Sequence, residues 1–367
     1  MKFMAVCALS IAASGLWADT RPGNDPAGVA VDKALRWLVQ VQGSNGGWGQ
    51  DGGETSYVRS GERLESNGND VANTAVAAQA LLKAGHTPTQ GQHSGALRRA
   101  VDFILRHVES SPEQGLGVTS VTGTQIQRKL GPYIDTFLTS RLLAEVDGNM
   151  GDARSNQRVR AALEKCVAKI ERHQQGDGSW NIAGGWAPIL GTSMASRSLN
   201  DARAKGVPVK PEVMARVDDY TKKSARTGRL SGVAGGASAG VPLYEAAQTL
   251  EQLSRTSADR AANSEEIKSV TGQLSSARFV SGFGSLGGEE FFSYLNISDS
   301  LRRSGGPEWT KWNSQIKTQL VNLQNDNGTW AGHHCITGRV AITSAAALIL
   351  LAEREPLLAP TSFQRKG

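Results

Sequence analysis

Gln42-Gly43-Ser44-Asn45-Gly46-Gly47-Trp48 closes one helical pattern and leads into another. The chain repeats the device at Gln174-Gln175-Gly176-Asp177-Gly178-Ser179-Trp180 and at Gln324-Asn325-Asp326-Asn327-Gly328-Thr329-Trp330. Each copy follows a charged, amphipathic stretch and precedes a more apolar one. Self-similarity of this kind is the mark of a repeat architecture, and here it predicts a chain of helical hairpins.

Six hairpins can be counted. In the first, Val31, Leu35, Leu38 and Val41 form one apolar stripe at helical spacing. Its second helix spans residues 70–84. The others are expected at 96–108 with 132–146, 157–174 with 192–205, 211–226 with 242–253, 261–279 with 289–302, and 308–324 with 336–351. First helices carry charges, as in Arg158, Arg160, Glu164, Lys165 and Lys169. Second helices are small and apolar on nearly every side, as in Ala75 to Ala80 and Ala345 to Ala347. A helix apolar all round belongs inside protein. The expectation is therefore an all-α protein, a single α/α toroid (an α6/α6 barrel) with six second helices inside and six first helices outside.

The chain has 367 residues, 39% of them hydrophobic, enough for a full core. Lys2, the apolar run from Phe3 to Leu16 and the small residue Ala18 before Asp19 read as a signal peptide. That divides the chain into a signal peptide at 1–18, the toroid at 19–355 and a C-terminal tail at 356–367, with a secreted or periplasmic location. Loss of Lys2 takes the net charge from +6 to +5. The basic residues are scattered, which gives no support for nucleic-acid binding. No transmembrane segment is expected in the mature chain, because its most apolar run, from Val340 to Ala352, is too short. Cys166 and Cys335 fall in different repeats and are expected to stay free.

The Gln-Gly-Trp turns resemble the repeats of the terpenoid cyclase and protein prenyltransferase superfamily, the prenyltransferase/squalene oxidase repeat proteins. The resemblance covers nearly all of the mature chain, with the first, third and sixth copies clearest. It implies a toroid whose Gln and Trp residues lock neighbouring repeats, and an apolar central cavity for an isoprenoid or lipid-like small molecule. The catalytic strings of the family are missing. Neither Asp-x-Asp-Asp nor Asp-x-x-Asp-Asp occurs, and the Cys-Gly-Glu-Gln of the related thioester domains is absent too.

In such a ring the starts of the inner helices surround one mouth. Asp70, Asp135 with Tyr133, Tyr244 with Glu245, Glu289 with Glu290, and the run from Gly332 to Cys335 fall there. Asp70 and Asp135, taken singly, read as helix caps. The last two hairpins crowd ionisable groups more than capping needs, so the candidate catalytic residues are Glu289, Glu290, Tyr294, His333, His334, Cys335 and Arg339. The prenyltransferase resemblance implies a zinc-binding His on the last inner helix, and a Glu/His/Cys set has donors that zinc accepts. The fifth hairpin departs from that pattern, with Glu in place of Asp and no Cys two residues on. No cofactor is assigned on these grounds.

Three functions stay open: an exported isoprenoid-type toroid acting as enzyme or carrier, a non-catalytic interaction module, and a carbohydrate-active toroid using two rim carboxylates. The last is ranked lowest, since aromatics are 6% of the chain and several are committed to turns. If the leader is removed as read, N-terminal sequencing of the protein from its native host will start near Asp19; a terminus at Met1 would show that the leader is retained.

Overall fold

Asp25 opens the first helix. Its carboxylate accepts the amides of Ala27 and Gly28, and Pro26 occupies the first turn, where its missing N–H leaves no bond unmade. The computed structural model of the chain describes residues 25–50, 68–182, 188–226, 249–250, 252–254, 257–274, 288–332 and 335–354. These contain thirteen α-helices: α1 (Pro26–Gln40), α2 (Val71–Lys83), α3 (Ser94–Ser110), α4 (Gln125–Leu130), α5 (Ile134–Val146), α6 (Ala153–Arg172), α7 (Pro188–Ala204), α8 (Pro211–Arg226), α9 (Ser257–Ala262), α10 (Ser264–Leu274), α11 (Gly288–Ser304), α12 (Gly306–Leu323) and α13 (Arg339–Leu350). Among the described residues the single sheet is a two-residue antiparallel pair, β1 (Trp48–Gly49) and β2 (Asn69–Asp70), with Trp48 opposite Asp70.

The inner helices pack in sequence: α11 on α13, α13 on α2, α2 on α5, α5 on α7. Gln252 of the fourth hairpin continues the series by accepting the Ser196 hydroxyl of α7 at 2.7 Å. Every residue of α2 from Val71 to Leu81 is buried, and so is every residue of α13 from Val340 to Leu350. The outer helices bury one stripe only, as α6 does with Val159, Leu163, Cys166, Val167 and Ile170.

The three Gln-Gly-Trp turns are built alike. Each Trp indole N–H donates to a carbonyl ten residues back: Leu38 at 2.7 Å, Ile170 at 2.7 Å and Leu320 at 2.8 Å. Each Trp backbone N–H donates to a threonine hydroxyl of its own second helix, Thr74, Thr192 or Thr343. Each Gln side chain donates twice. One bond goes to the carbonyl of the turn glycine, Gly46, Gly178 or Gly328. The other goes to a carbonyl near the start of the next outer helix, at Ala96, Val213 or Ala30. The last of these, Gln324 to Ala30 at 2.8 Å, joins the sixth hairpin to the first and closes the ring. The turn glycines have φ of +90°, +91° and +87°, and a Cβ there would overlap the backbone of the next outer helix.

The second hairpin has no such glutamine. Lys169 of α6 does the equivalent work, its Nζ donating to the carbonyls of Pro112, Gly115 and Gly117. Three further departures from expectation are local. The fifth outer helix, expected as one piece, is two, because Asn263 turns its amide back to the carbonyls of Asp259 and Leu253. The last inner helix starts at Arg339, since residues 335–338 form a loop against α11. The turn of the second hairpin contains α4, which hydrophobic periodicity does not signal. Residues 1–18 and 356–367, and most of the expected helix at 242–253, lie outside the described residues.

The inner surface is also less apolar than expected. α7 buries Ser193, Ser196, Arg197 and Ser198, and α11 buries Ser293, Asn296, Ser298, Asp299 and Ser300. Arg197 and Asp299 form an ion pair with side chains 1% and 5% exposed. The helices that carry them do not pack side by side, so the pair spans the inside of the ring.

Trp180 and Trp330 are 3% and 1% exposed and each fills the joint between two helices. Trp180→Ala and Trp330→Ala are each expected to lower stability by about 3–5 kcal/mol, the cost of emptying a large aromatic site. Chemical denaturation measures this, and a loss below about 1 kcal/mol in both variants would contradict the joint role assigned to these rings.

Candidate active site at the covered rim

The rim is where the inner helices begin, and two of its buried carboxyl groups meet at one helix end. Asp70 is the N-cap of α2: its carboxylate accepts the Asn73 amide at 2.8 Å and the Asn73 side chain at 2.8 Å. Asp135, in the first turn of α5, reaches across to the same helix end and accepts the Ala72 amide at 3.1 Å. Its other oxygen accepts the Gln127 side chain of α4 at 2.7 Å. Asp70 caps its own helix as expected, whereas Asp135 caps the neighbouring α2 and leaves the start of α5 without a side-chain cap. The pairing of both on one helix end was not expected, and it has an electrostatic consequence. Burial pushes the Asp70 pKa up to about 6. Burial, and then the charge of Asp70, pushes Asp135 up to about 7 against the hydrogen bonds that favour its ionised form.

α4 lies over this pair. Thr124 and Gln127 form a capping box at its start. Ile126 and Leu130, four residues apart, form a buried underside, while Arg128 points to solvent. Gln125 reaches the opposite side of the mouth. Its Nε2 donates to the Thr337 hydroxyl at 2.9 Å, and its Oε1 accepts the Thr337 amide at 2.7 Å and the Gly338 amide at 3.3 Å. Gln50 completes the contact by accepting the Gln125 amide at 3.2 Å.

Some of the sequence-predicted residues come together and others do not. The segments that open α11 and precede α13 adjoin, as neighbouring repeats should. A Cβ on Gly288 would overlap the Ile336 carbonyl, and one on Gly332 would come within 2.7 Å of the Gly288 Cα. Glu290 is buried in the first turn of α11. Tyr294 faces outward, its ring 6.3 Å from Phe291 and 5.9 Å from Trp312 of outer helix α12. Arg339 lays its guanidinium over Trp37 of α1, 5.7 Å from the ring centre. That is a cation–π packing contact. Cys335 is a half-buried thiol outside any disulfide, in left-handed backbone at φ +66°. His333, His334 and the Glu289 side chain lie outside the described residues. Among the described residues no three His, Cys, Asp or Glu converge as metal donors, so no chemistry is derived through zinc. Cys166 is likewise outside any disulfide, and burial raises its pKa to about 12, which leaves it unreactive.

Sequence reasoning missed Gln125, Gln127 and the Arg197–Asp299 pair. The pair did leave a signal, since Arg197 is a lone charge in the small-residue run from Ser193 to Ser198. The open apolar cavity expected from Ala, Val and Leu is not visible at the described inner helices. Their side chains have almost no accessible surface.

No protein-family model matches the chain and no curated protein matches its sequence. Solved structures do match. A variant of the type II terpene cyclase MstE from Scytonema, in complex with its substrate geranylgeranyl dihydroxybenzoate, superposes with a TM-score of 0.54 at 15% identity, over 91% of this chain and 98% of that one. An apo variant gives 0.55 at 14% identity, over 90% and 96%. A variant in complex with the product merosterolic acid A gives 0.51 at 14%, again over 90% and 96%. At this identity the common property is the fold: the chain is an α/α toroid with the architecture of a type II terpene cyclase.

Proposed function

We propose that this protein takes an isoprenoid-bearing, lipid-like molecule inside its ring, and that Asp70 and Asp135 handle protons at the mouth. The observation that carries the reading is the end-to-end match to toroids whose ligands are a geranylgeranyl compound and its cyclised product. Nearly all of those chains is covered by this one, so the likeness extends to the whole ring. The buried aspartates supply what such chemistry needs next. A carboxyl with a pKa of about 7 is protonated in about half the molecules at neutral pH, and an acid works best when its pKa lies near the operating pH. The family's acidic string sits on one segment; here the two acids come from α2 and α5 and meet at one helix end. Export, read from residues 1–18, is part of the same proposal, and would place the protein where membrane-derived lipids are its accessible substrates.

Purified protein mixed with a geranylgeranyl-substituted phenol is expected to bind it, seen as a mass shift in native mass spectrometry. Asp135→Asn is expected to keep binding and to lose any conversion seen by chromatography. Absence of binding by the wild type would remove the reading.

The same pair sets a pH dependence. Both folded-state pKa values lie above the ordinary value of 3.8. Between about pH 4 and pH 7 the native state therefore holds protons that the unfolded chain has released. The stability contributed by the pair is fully present below about pH 4 and is lost as pH rises through 6 to 7. Melting temperature should fall from pH 5 to pH 8 in the wild type and fall less in Asp135→Asn; identical slopes would show that Asp135 is ionised throughout.

A further inference from the structure

The described inner helices have almost no accessible side-chain surface. Among the described residues, the covering most suited to move is α4. It has six residues, far below the length at which a helix persists on its own in water. It survives through contacts of two kinds. Underneath, Ile126 and Leu130 sit on the mouth formed by α2, α5 and α7. At its leading end, Gln125 bonds Thr337 and Gly338 more than 200 positions along the chain. At its centre, Gln127 bonds Asp135 and the Val121 carbonyl.

Both ends of α4 carry a glycine in left-handed backbone. Gly123 has φ +77° and Gly131 has φ +114°. Among the described residues, a Cβ would come within 3 Å of a neighbour at five of the thirteen left-handed glycines, as at Gly46, Gly178 and Gly328. Here a Cβ at either position would meet open space, so close packing does not explain them. Each can serve as a pivot, since glycine crosses between backbone regions closed to other residues.

We propose that α4 is a gate: it swings on Gly123 and Gly131, is latched shut by Gln125 on the Thr337–Gly338 loop, and uncovers the ring mouth together with Asp135 when it opens. This goes beyond the ligand reading, because the gate is a property of the chain whether or not an isoprenoid is what passes it. Opening breaks the Gln125 and Gln127 side-chain bonds and lifts two apolar side chains off the mouth, while the ring joints stay intact. It is a local opening of the kind that costs less than global unfolding.

Two measurements test it. The first needs no ligand. In hydrogen exchange followed by mass spectrometry, the amides of 125–131 are expected to exchange much faster than those of α2 and α5. Gln125→Ala should speed them a further tenfold or more while leaving α2 unchanged. Exchange of 125–131 as slow as α2, or equal acceleration of both in the variant, would overturn the gate. The second uses a lock. In a Cys335→Ser background, Gln125→Cys with Thr337→Cys joins latch and loop when oxidised. Uptake of dansyl-labelled geranylgeraniol by stopped-flow fluorescence should slow at least tenfold in the oxidised protein and recover on reduction. Equal rates in both redox states, with the crosslink verified by mass, would also overturn it. Failure of the probe to bind the unlocked protein would count against the ligand reading, and the exchange experiment would still decide the gate.

Discussion

A side-chain amide that must answer two carbonyls at once holds this molecule together. In Gln42, Gln174 and Gln324 one N–H fixes the turn of its own hairpin and the other fixes the start of the next outer helix. Neither bond alone would define a ring. Together they set the angle between successive hairpins, and six such angles have to close on themselves. The tryptophan beside each glutamine makes the angle rigid. Its ring is buried in the joint, and both its nitrogens are bonded, one to the outer helix and one to the inner. A buried indole with both donors satisfied has one orientation and no cheap alternative.

That joint is also what a sequence displays most openly. Gln, Gly and Trp at fixed spacing are rare enough to be seen three times, and the periodicities on either side follow from the ring they build. Hairpin two shows the limit of this legibility. Its joint is made by Lys169, a charged residue in an otherwise ordinary outer helix, and no local pattern distinguishes it from Lys165 one turn before, which pairs with Glu113. α4 was invisible for a related reason: six residues give too few turns for a period to register. The rim position of the two aspartates is legible in the sequence, but there both read as caps and the catalytic candidates fall on the last two hairpins. Inner-helix starts were expected to carry the chemistry, and Asp70 and Asp135 were on that rim. Their mutual approach on one helix end depends on how α5 packs against α2, which no one-dimensional spacing encodes. Arg339 was read as a site residue because it opens an inner helix, yet its stem is long enough to reach Trp37 on the outer layer.

The rim therefore combines two kinds of restraint. The hairpin joints are numerous, similar and buried, and they make the ring stiff. Among the described residues the mouth is covered by α4, held by neutral amides and two apolar side chains, and bounded by glycines that nothing crowds. A stiff wall with a lightly held cover is a sensible division of labour for a ring that has to admit a ligand. Asp135 belongs to both. It caps the wall through Ala72 and touches the cover through Gln127.

The bond from Gln324 to Ala30 has one more implication. It is chemically the same as the bonds from Gln42 to Ala96 and from Gln174 to Val213, although the partners of the first are 294 positions apart and those of the second only 54. The ring does not distinguish the joint that the polypeptide crosses covalently from the one that it does not. Hairpin one is first in the gene and in nothing else. A circularly permuted chain, with hairpins six and one connected and a new break placed at another joint, should meet the same angles in the same order. Closure would then be a property of the set of joints, and the location of the termini a matter of indifference to the fold.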